Sequence, residues 1–466
     1  MPSFLLKQIV TWQTQFSILE WYLSLFPLIF ESMKRFGYVL GLFLLLNVGN
    51  LLAQAMPPGL PGLSTIWHRD TTLCDYIFVN TVRFQLPQTD ASAGMILNKH
   101  GELVWYIRSQ DNVYDLEPKG NGNLAFNINN EWYQLDSNLI STPYPTCNNT
   151  YSDLHELLLL DDGRSFELCI GDTVMDLSSI QTRSGQNGDS LGQVRYTVVV
   201  ELDSSGTVLN QWRGIDHFDI QDVDPFYFTL PTYLELNHTN SIAYDGRFVL
   251  LSHRSNHEIS LIDWPTQRMV WRLGGNHNQF LYPRGGVFNS QHDARFVGPN
   301  QISLFDNATQ ATPNNPRAIV FEMDTVTMEA DMILEWKSPA ANSNSMGGFR
   351  QLPNGDGIVT WGNVYPQEHT NITYFNARQQ AVADLHWSEP HLSYRAVCAD
   401  LPFQIEQPTI TCEVQNGNLI LRLVGNYPSQ QWSTGSSDDF IVLADTGWYQ
   451  CYVPLGDGFV GSNVFH

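Results

Sequence analysis

Three histidines fall at matching points of an internal repeat: His155 in SDLHELLLL, His238 in NHTNSI and His292 in SQHDARF. Asp115 and Arg350 stand near the same point of two further copies. An imidazole titrates near neutral pH, carries protons and, when neutral, is a nucleophile that can hold a transferred group covalently. A lone histidine in a β-protein is usually an ordinary hydrogen-bonded side chain; three at one repeat position point to a shared site. No cysteine pair has the CxxC spacing of a zinc site, so no metal is expected.

The elements that must position these residues are strands. Helical periodicity is nearly absent beyond residue 55, whereas short β-branched and aromatic runs recur between Asp-Gly, Asn-Gly and Pro-Asn turns. Two phrases alternate. One is a hairpin ending in tryptophan, at Trp105, Trp212, Trp271, Trp336 and Trp387. The other is a polar residue, a short strand, a turn and a second strand, as in YDLEPKGNGNLAF, NHTNSIAYDGRFVLLSHR and GGFRQLPNGDGIVTWG. Five copies, with residues 74–84 free to complete the last, predict an all-β chain: a six-bladed β-propeller over 56–400 whose first strands line a central channel.

Acidic residues outnumber basic ones 47 to 24, and the net charge of -23 repels a polyphosphate backbone, which excludes nucleic acid as a partner. Residues 33–55 read as a signal peptide: Lys34 and Arg35, an apolar stretch over 36–48, and Ala-Gln-Ala at 53–55. The mature chain is then expected to begin near Met56 in an exported protein, whether periplasmic, cell-surface or secreted. Residues 1–32 read as an N-terminal extension from an over-extended start. Export permits disulfides, and Cys147 with Cys169 bracket one short hairpin. The segment 406–466 resembles the small immunoglobulin-like modules appended to secreted bacterial proteins. That likeness implies a β-sandwich, a Cys412–Cys451 bond and a role in surface attachment.

The body, roughly residues 60–394, resembles the bacterial arylsulfate sulfotransferases, six-bladed propellers that work without a nucleotide donor. The likeness rests on NHTNSI (237–242), on SHR (252–254) followed by EISLID, and on SQHDARF (290–296) running on to ISLFDN. It implies transfer of a sulfuryl group from a phenolic sulfate ester to a phenol acceptor, with no cofactor, through a covalent sulfohistidine in ping-pong order. His292 matches the histidine that carries the group, His238 and Asn240 the His-x-Asn pair beside it, Arg254 the arginine on the sulfate oxygens, and His155 a further active-site histidine. Arg350 is expected, from its repeat position, to bind substrate.

Two other classes fit a polar channel. A metal-dependent propeller hydrolase or lactonase would need carboxylates, of which the ring positions offer few: Asp153 and Asp293 flank histidines on strands whose alternate residues face opposite ways. A non-catalytic secreted binding or adhesion propeller needs only the fold. His68, His100, His217, His253, His257, His277, His369, His386 and His391 are expected in hairpins or loops, most of them solvated.

Overall fold

Hairpin after hairpin opens on an Asp or Asn whose side-chain oxygen accepts the backbone N–H two residues on: Asn98, Asp136, Asp162, Asp203, Asp245, Asp324 and Asn376. This local bond closes each turn and sets adjacent strands antiparallel. The computed structural model describes residues 50–466 apart from 54–55, 70, 72, 84–90, 145–146, 148–150, 311–314, 338–341, 366–369 and 389–390. The expected extension, nearly all of the expected signal peptide, and His369 lie outside the described residues.

The fold is all-β, built from antiparallel sheets. Six sheets each begin with a strand labelled here β1 (Val113–Pro118), β2 (Tyr151–Leu159), β3 (Thr239–Tyr244), β4 (His292–Gly298), β5 (Gly348–Gln351) and β6 (Ala396–Cys398). The first four sheets meander outward through three further strands, for example His292–Gly298, Gln301–Asp306, Arg317–Asp324 and Glu329–Lys337. The tryptophan phrases form the outer hairpins and the polar-residue phrases the inner ones. Trp105, Trp212, Trp271 and Trp387 are buried between sheets. Each first strand contacts the next, β1 to β2, β2 to β3, β3 to β4, β4 to β5 and β5 to β6, and the β6 sheet returns to β1 through Tyr76–Asn80.

The β6 sheet joins both ends of the described chain. Ala396–Cys398 pairs with Tyr76–Asn80, followed by Ser92–Asn98 and Leu103–Ser109, as residues 74–84 were expected to allow. Leu103–Ser109 then pairs with Gly458–Gly461. Segment 406–466 is therefore no separate sandwich. Gly458–Gly461, Cys451–Leu455 and Gln431–Trp432 extend the β6 sheet, while Thr409–Gln415, Asn418–Val424 and Phe440–Val442 form a small sheet of their own. One core holds Trp105 and Phe126 together with Ile410, Leu421, Trp432 and Val453. The expected Cys412–Cys451 bond is corrected accordingly. The two cysteines lie on different sheets as free thiols, Cys412 exposed and Cys451 buried.

The disulfides are Cys147–Cys169, as the short hairpin suggested, and Cys74–Cys398, which spans 324 residues and ties β6 to the segment leading into Tyr76–Asn80. Such bonds fit an oxidising compartment outside the cytoplasm. Because Cys74–Cys398 closes so long a loop, Cys398→Ser is expected to lower stability by about 2–5 kcal/mol. The check is the urea-unfolding midpoint of the variant against the oxidised protein; an unmoved midpoint would show that strand pairing alone closes the sheet.

Candidate active site

The first strands are kinked where they carry the histidines. Strand pairing slips between Ser152 and Leu157 in β2, between Thr239 and Ser241 in β3, and between His292 and Arg295 in β4. Such bulges add a residue on one strand and re-aim its side chains. His238 (φ 45°) and Asp293 (φ 58°) adopt the left-handed conformation at these points, as does Asp115 (φ 50°) in β1. Simple alternation along a flat strand fails here, so neighbouring residues such as His292 and Asp293 serve different sites.

His292 is almost fully buried. Its Nδ1 lies 2.6 Å from Asn307 Oδ1 and 3.0 Å from the Ser290 carbonyl. Asn307 is itself oriented, because its Nδ2 donates to Ser343 Oγ and to the Met346 carbonyl, both at 2.9 Å. Both partners of Nδ1 are therefore acceptors, so Nδ1 carries the ring proton and Nε2 keeps its lone pair. Burial and the Arg254 guanidinium hold the His292 pKa well below the usual histidine value; His238 and His155 push the same way and the Asn307 bond opposes them. The ring stays neutral at pH 7.

His155 and His238 meet edge to face, their ring centres 5.0 Å apart. Each has its Nδ1 on a carboxylate, Asp153 for His155 and Glu235 at 2.8 Å for His238, which leaves both Nε2 atoms for the site. Burial alone would raise the Glu235 carboxyl, but His238, His155 and Arg254 pull it down to about 2, so it stays ionised. Arg254 lies 4.6 Å from the centre of the Tyr227 ring and donates to the Asn344 carbonyl at 3.3 Å. Its Nε is buried without a partner. Glu258, four residues on, pairs with Arg272 at 2.6 Å.

Asn240 is fully buried. Its Nδ2 donates to the Gln291 carbonyl (2.8 Å) and its Oδ1 accepts the Asp293 N–H (3.4 Å), so it grips the backbone on either side of His292. Tyr227 Oη donates to Ser290 Oγ at 2.5 Å, and His257 Nδ1 accepts the Ser290 N–H at 2.9 Å while its Nε2 lies 3.1 Å from Asp224. His257 thus braces the residue whose carbonyl orients His292, a role its loop position did not suggest. His253 is likewise no solvated residue. It is fully buried beside Trp212 and Phe218, and burial, with Arg272 and His217, depresses its pKa to about 3.

Next to the histidines lies a buried charge network. Arg350 donates to Asp293 at 2.9 Å and approaches Glu117 at 3.6 Å. Arg295 bridges Asp293 (2.7 Å) and Glu156 (2.5 Å); Arg395 reaches Asp115 (2.8 Å) and Glu156 (3.1 Å); Lys119 sits on Glu117 (2.5 Å) and Asp115 (3.5 Å). Arg395 also donates to the Asn240 carbonyl. The residues come from β1 and the position just after it, from β2, β4 and β5, and from the chain just ahead of β6. Gly348 is required at the crossing, since a Cβ there would come within 2.6 Å of Asp293 Oδ2. The expectation of few carboxylates was wrong: Asp115, Glu117, Glu156 and Asp293 all point inward. Four cations match these four acids. Asp115, Glu117 and Glu156 cluster closely enough to ligate a metal, but Lys119 already lies against two of them.

No curated protein matches the chain. Similar solved structures include Kuenenia stuttgartiensis hydrazine synthase (9% identity, TM-score 0.26, 57% of this chain and 60% of that one) and Pyrococcus horikoshii acylaminoacyl peptidase (10%, 0.34, 82% and 49%). A putative 6-phosphogluconolactonase from Bacteroides fragilis is a third (10%, 0.35, 82% and 91%). The chain spans less than two thirds of the first two. Residues 93–385, well over half of the chain and the stretch holding all three histidines with Arg254 and Asn307, match the family model described as Arylsulfotransferase (ASST). By that match the chain belongs to the arylsulfotransferase family, enzymes that move sulfuryl groups between aryl sulfates and phenols.

Proposed function

We propose that the chain is a six-bladed β-propeller that passes a sulfuryl group from a phenolic sulfate ester to a phenol in two displacements, with His292 as the carrier. The observation that carries this reading is the His292 tautomer: Nδ1 is held by two acceptors, leaving an unprotonated Nε2 in a site shared with His155, His238 and Arg254. In the first displacement Nε2 bonds to sulfur as the ester S–O bond breaks. The phenolate leaves with that electron pair and takes a proton from the His155–His238 pair. In the second, the acceptor oxygen bonds to sulfur, the N–S bond breaks and returns its electrons to Nε2, and the acceptor's proton goes back to the histidine pair. Arg254 meets the non-bridging oxygens, whose charge its unpaired Nε suits. Asn240 acts through the His292 backbone, and Arg350 through Asp293, rather than on the substrate.

Export fits the same reading, with a mature N-terminus near Met56. Of the described strands, cleavage there would remove only Asn50–Ala53, the outermost strand of the β5 sheet. The test is intact-mass measurement after adding 4-nitrophenyl sulfate without acceptor. One sulfuryl adduct is expected, localised to His292 and discharged by added phenol. No adduct, or an adduct elsewhere, would overturn the carrier assignment.

The Asn307 bond makes a further prediction. Asn307→Asp places a carboxylate against Nδ1 and favours the imidazolium, so the His292 pKa rises from its depressed value. The neutral nucleophile is then lost as pH falls through the raised pKa. The acid limb of nitrophenol release is therefore expected to move to higher pH, read from burst rates between pH 5 and 8.

A further inference from the structure

Arg254 and Arg83 share an unusual state among the described residues: each has a buried guanidinium nitrogen with no hydrogen-bond partner, Nε in Arg254 and Nη1 in Arg83, and no carboxylate pair. Arg272, Arg350 and Arg395 also carry such a nitrogen, but each pairs with an acid. A guanidinium held only by neutral groups, with a desolvated donor to spare, is set for an anion. Arg254 has one in the proposed reaction. Arg83 needs a second.

Arg83 lines a cavity of about 420 Å³ together with Asn112, Tyr114, Asn130 and Leu154. That volume falls in the range of small-molecule sites. The cavity lies near His155 without touching it: Leu154 in its wall precedes His155, and the Tyr114 ring packs edge-on at 5.3 Å against Tyr394, whose ring centre is 6.2 Å from that of His155. Its walls are built. Arg83 N–H donates to Asn112 Oδ1 at 2.9 Å, Asn112 Nδ2 donates to the Arg83 carbonyl and to Tyr114 Oη at 3.1 Å, and Arg83 Nη2 donates to the Gln110 carbonyl at 2.6 Å. Tyr114 Oη therefore accepts from Asn112 and keeps its own proton to give. Asp111, the carboxylate of the lining, accepts from Asn129 Nδ2 at 2.7 Å.

We infer that this cavity is an acceptor subsite for phenols bearing a carboxylate, with the carboxylate between the Arg83 guanidinium and Tyr114 Oη and the phenol hydroxyl turned toward His155. The inference rests on the sulfuryl-transfer reading above. Its test compares 4-hydroxycinnamate with its neutral amide as acceptors from 4-nitrophenyl sulfate, reading the acid-to-amide ratio of kcat/KM so that any general loss of activity cancels. Wild type is expected to favour the acid. Arg83→Gln is expected to lower the ratio about 10- to 100-fold, chiefly through KM, the range of one charged hydrogen-bond partner. Arg83→Lys should restore part of it. A wild-type ratio near one, or a ratio that Arg83→Gln leaves in place, would overturn the subsite. Should wild type release no nitrophenol at all, the sulfotransferase reading fails separately. Calorimetric titration with 4-hydroxycinnamate then decides the subsite: binding lost in Arg83→Gln upholds it, and no binding to wild type overturns it.

Discussion

His292→Ala is expected to slow release of 4-nitrophenol from 4-nitrophenyl sulfate by at least about 10⁴-fold, the scale on which losing a covalent nucleophile disables an enzyme. On the proposed reading the loss falls on kcat, because the sulfuryl oxygens would still have Arg254 while sulfur would have no nitrogen to bond. The mass adduct should vanish with it. Truncation also leaves Asn307 Oδ1 without its donor, which costs about 1–3 kcal/mol of stability. A melting curve beside the kinetics therefore separates lost chemistry from lost fold. If the folded variant still turned over at the wild-type rate, His292 would not be the carrier.

The second large effect is on stability. Arg395→Met is expected to cost about 3–5 kcal/mol, because it removes one partner from a buried network and leaves Asp115 and Glu156 facing each other. Burial and Glu117 already push Asp115 up to about 6, with Arg395 the largest opposing influence. The Asn240 carbonyl loses a donor as well. Arg247→Met supplies the contrast: its side chain is 64% exposed on Asp263, and an exposed, solvent-screened pair adds little to stability. Urea-unfolding midpoints of the two variants measure the difference, and equal midpoints would show that the network adds nothing to holding the sheets together.

Much of this was legible before any coordinates. Repeat phrases placed His155 and His292 on first strands, and His238 immediately ahead of one, because those strands are local hairpins with turn residues at fixed offsets. Asn307 stood in view at the end of ISLFDN, yet its function depends on which of its atoms faces His292, and that is decided by Ser343 and Met346 far along the chain. Glu235 and Tyr227 come from the excursion between the β2 and β3 sheets, and His257 from a turn inside the β3 sheet, neither of which has a repeat to align it. The inward carboxylates were hidden for another reason: bulges break the two-residue alternation that would assign Asp293 and Glu156 a face. At the C-terminus, strand patterning identified strands correctly but does not say which sheet's edge they join, so an apparent separate module is in part a continuation of the β6 sheet.

That sheet has a bearing on biosynthesis. Tyr76–Asn80, Ser92–Asn98 and Leu103–Ser109 leave the ribosome early, but their inner neighbour, Ala396–Cys398, and their outer neighbour, Gly458–Gly461, are made near the end. Until then the early strands present two open edges, and the Cys74 thiol waits for a partner 324 residues downstream. Closure is thus the step of highest contact order, and a slow one. A chain that cannot finish folding until its tail arrives remains threadable while it is being made, which fits the export proposed above, with the final bond formed after crossing.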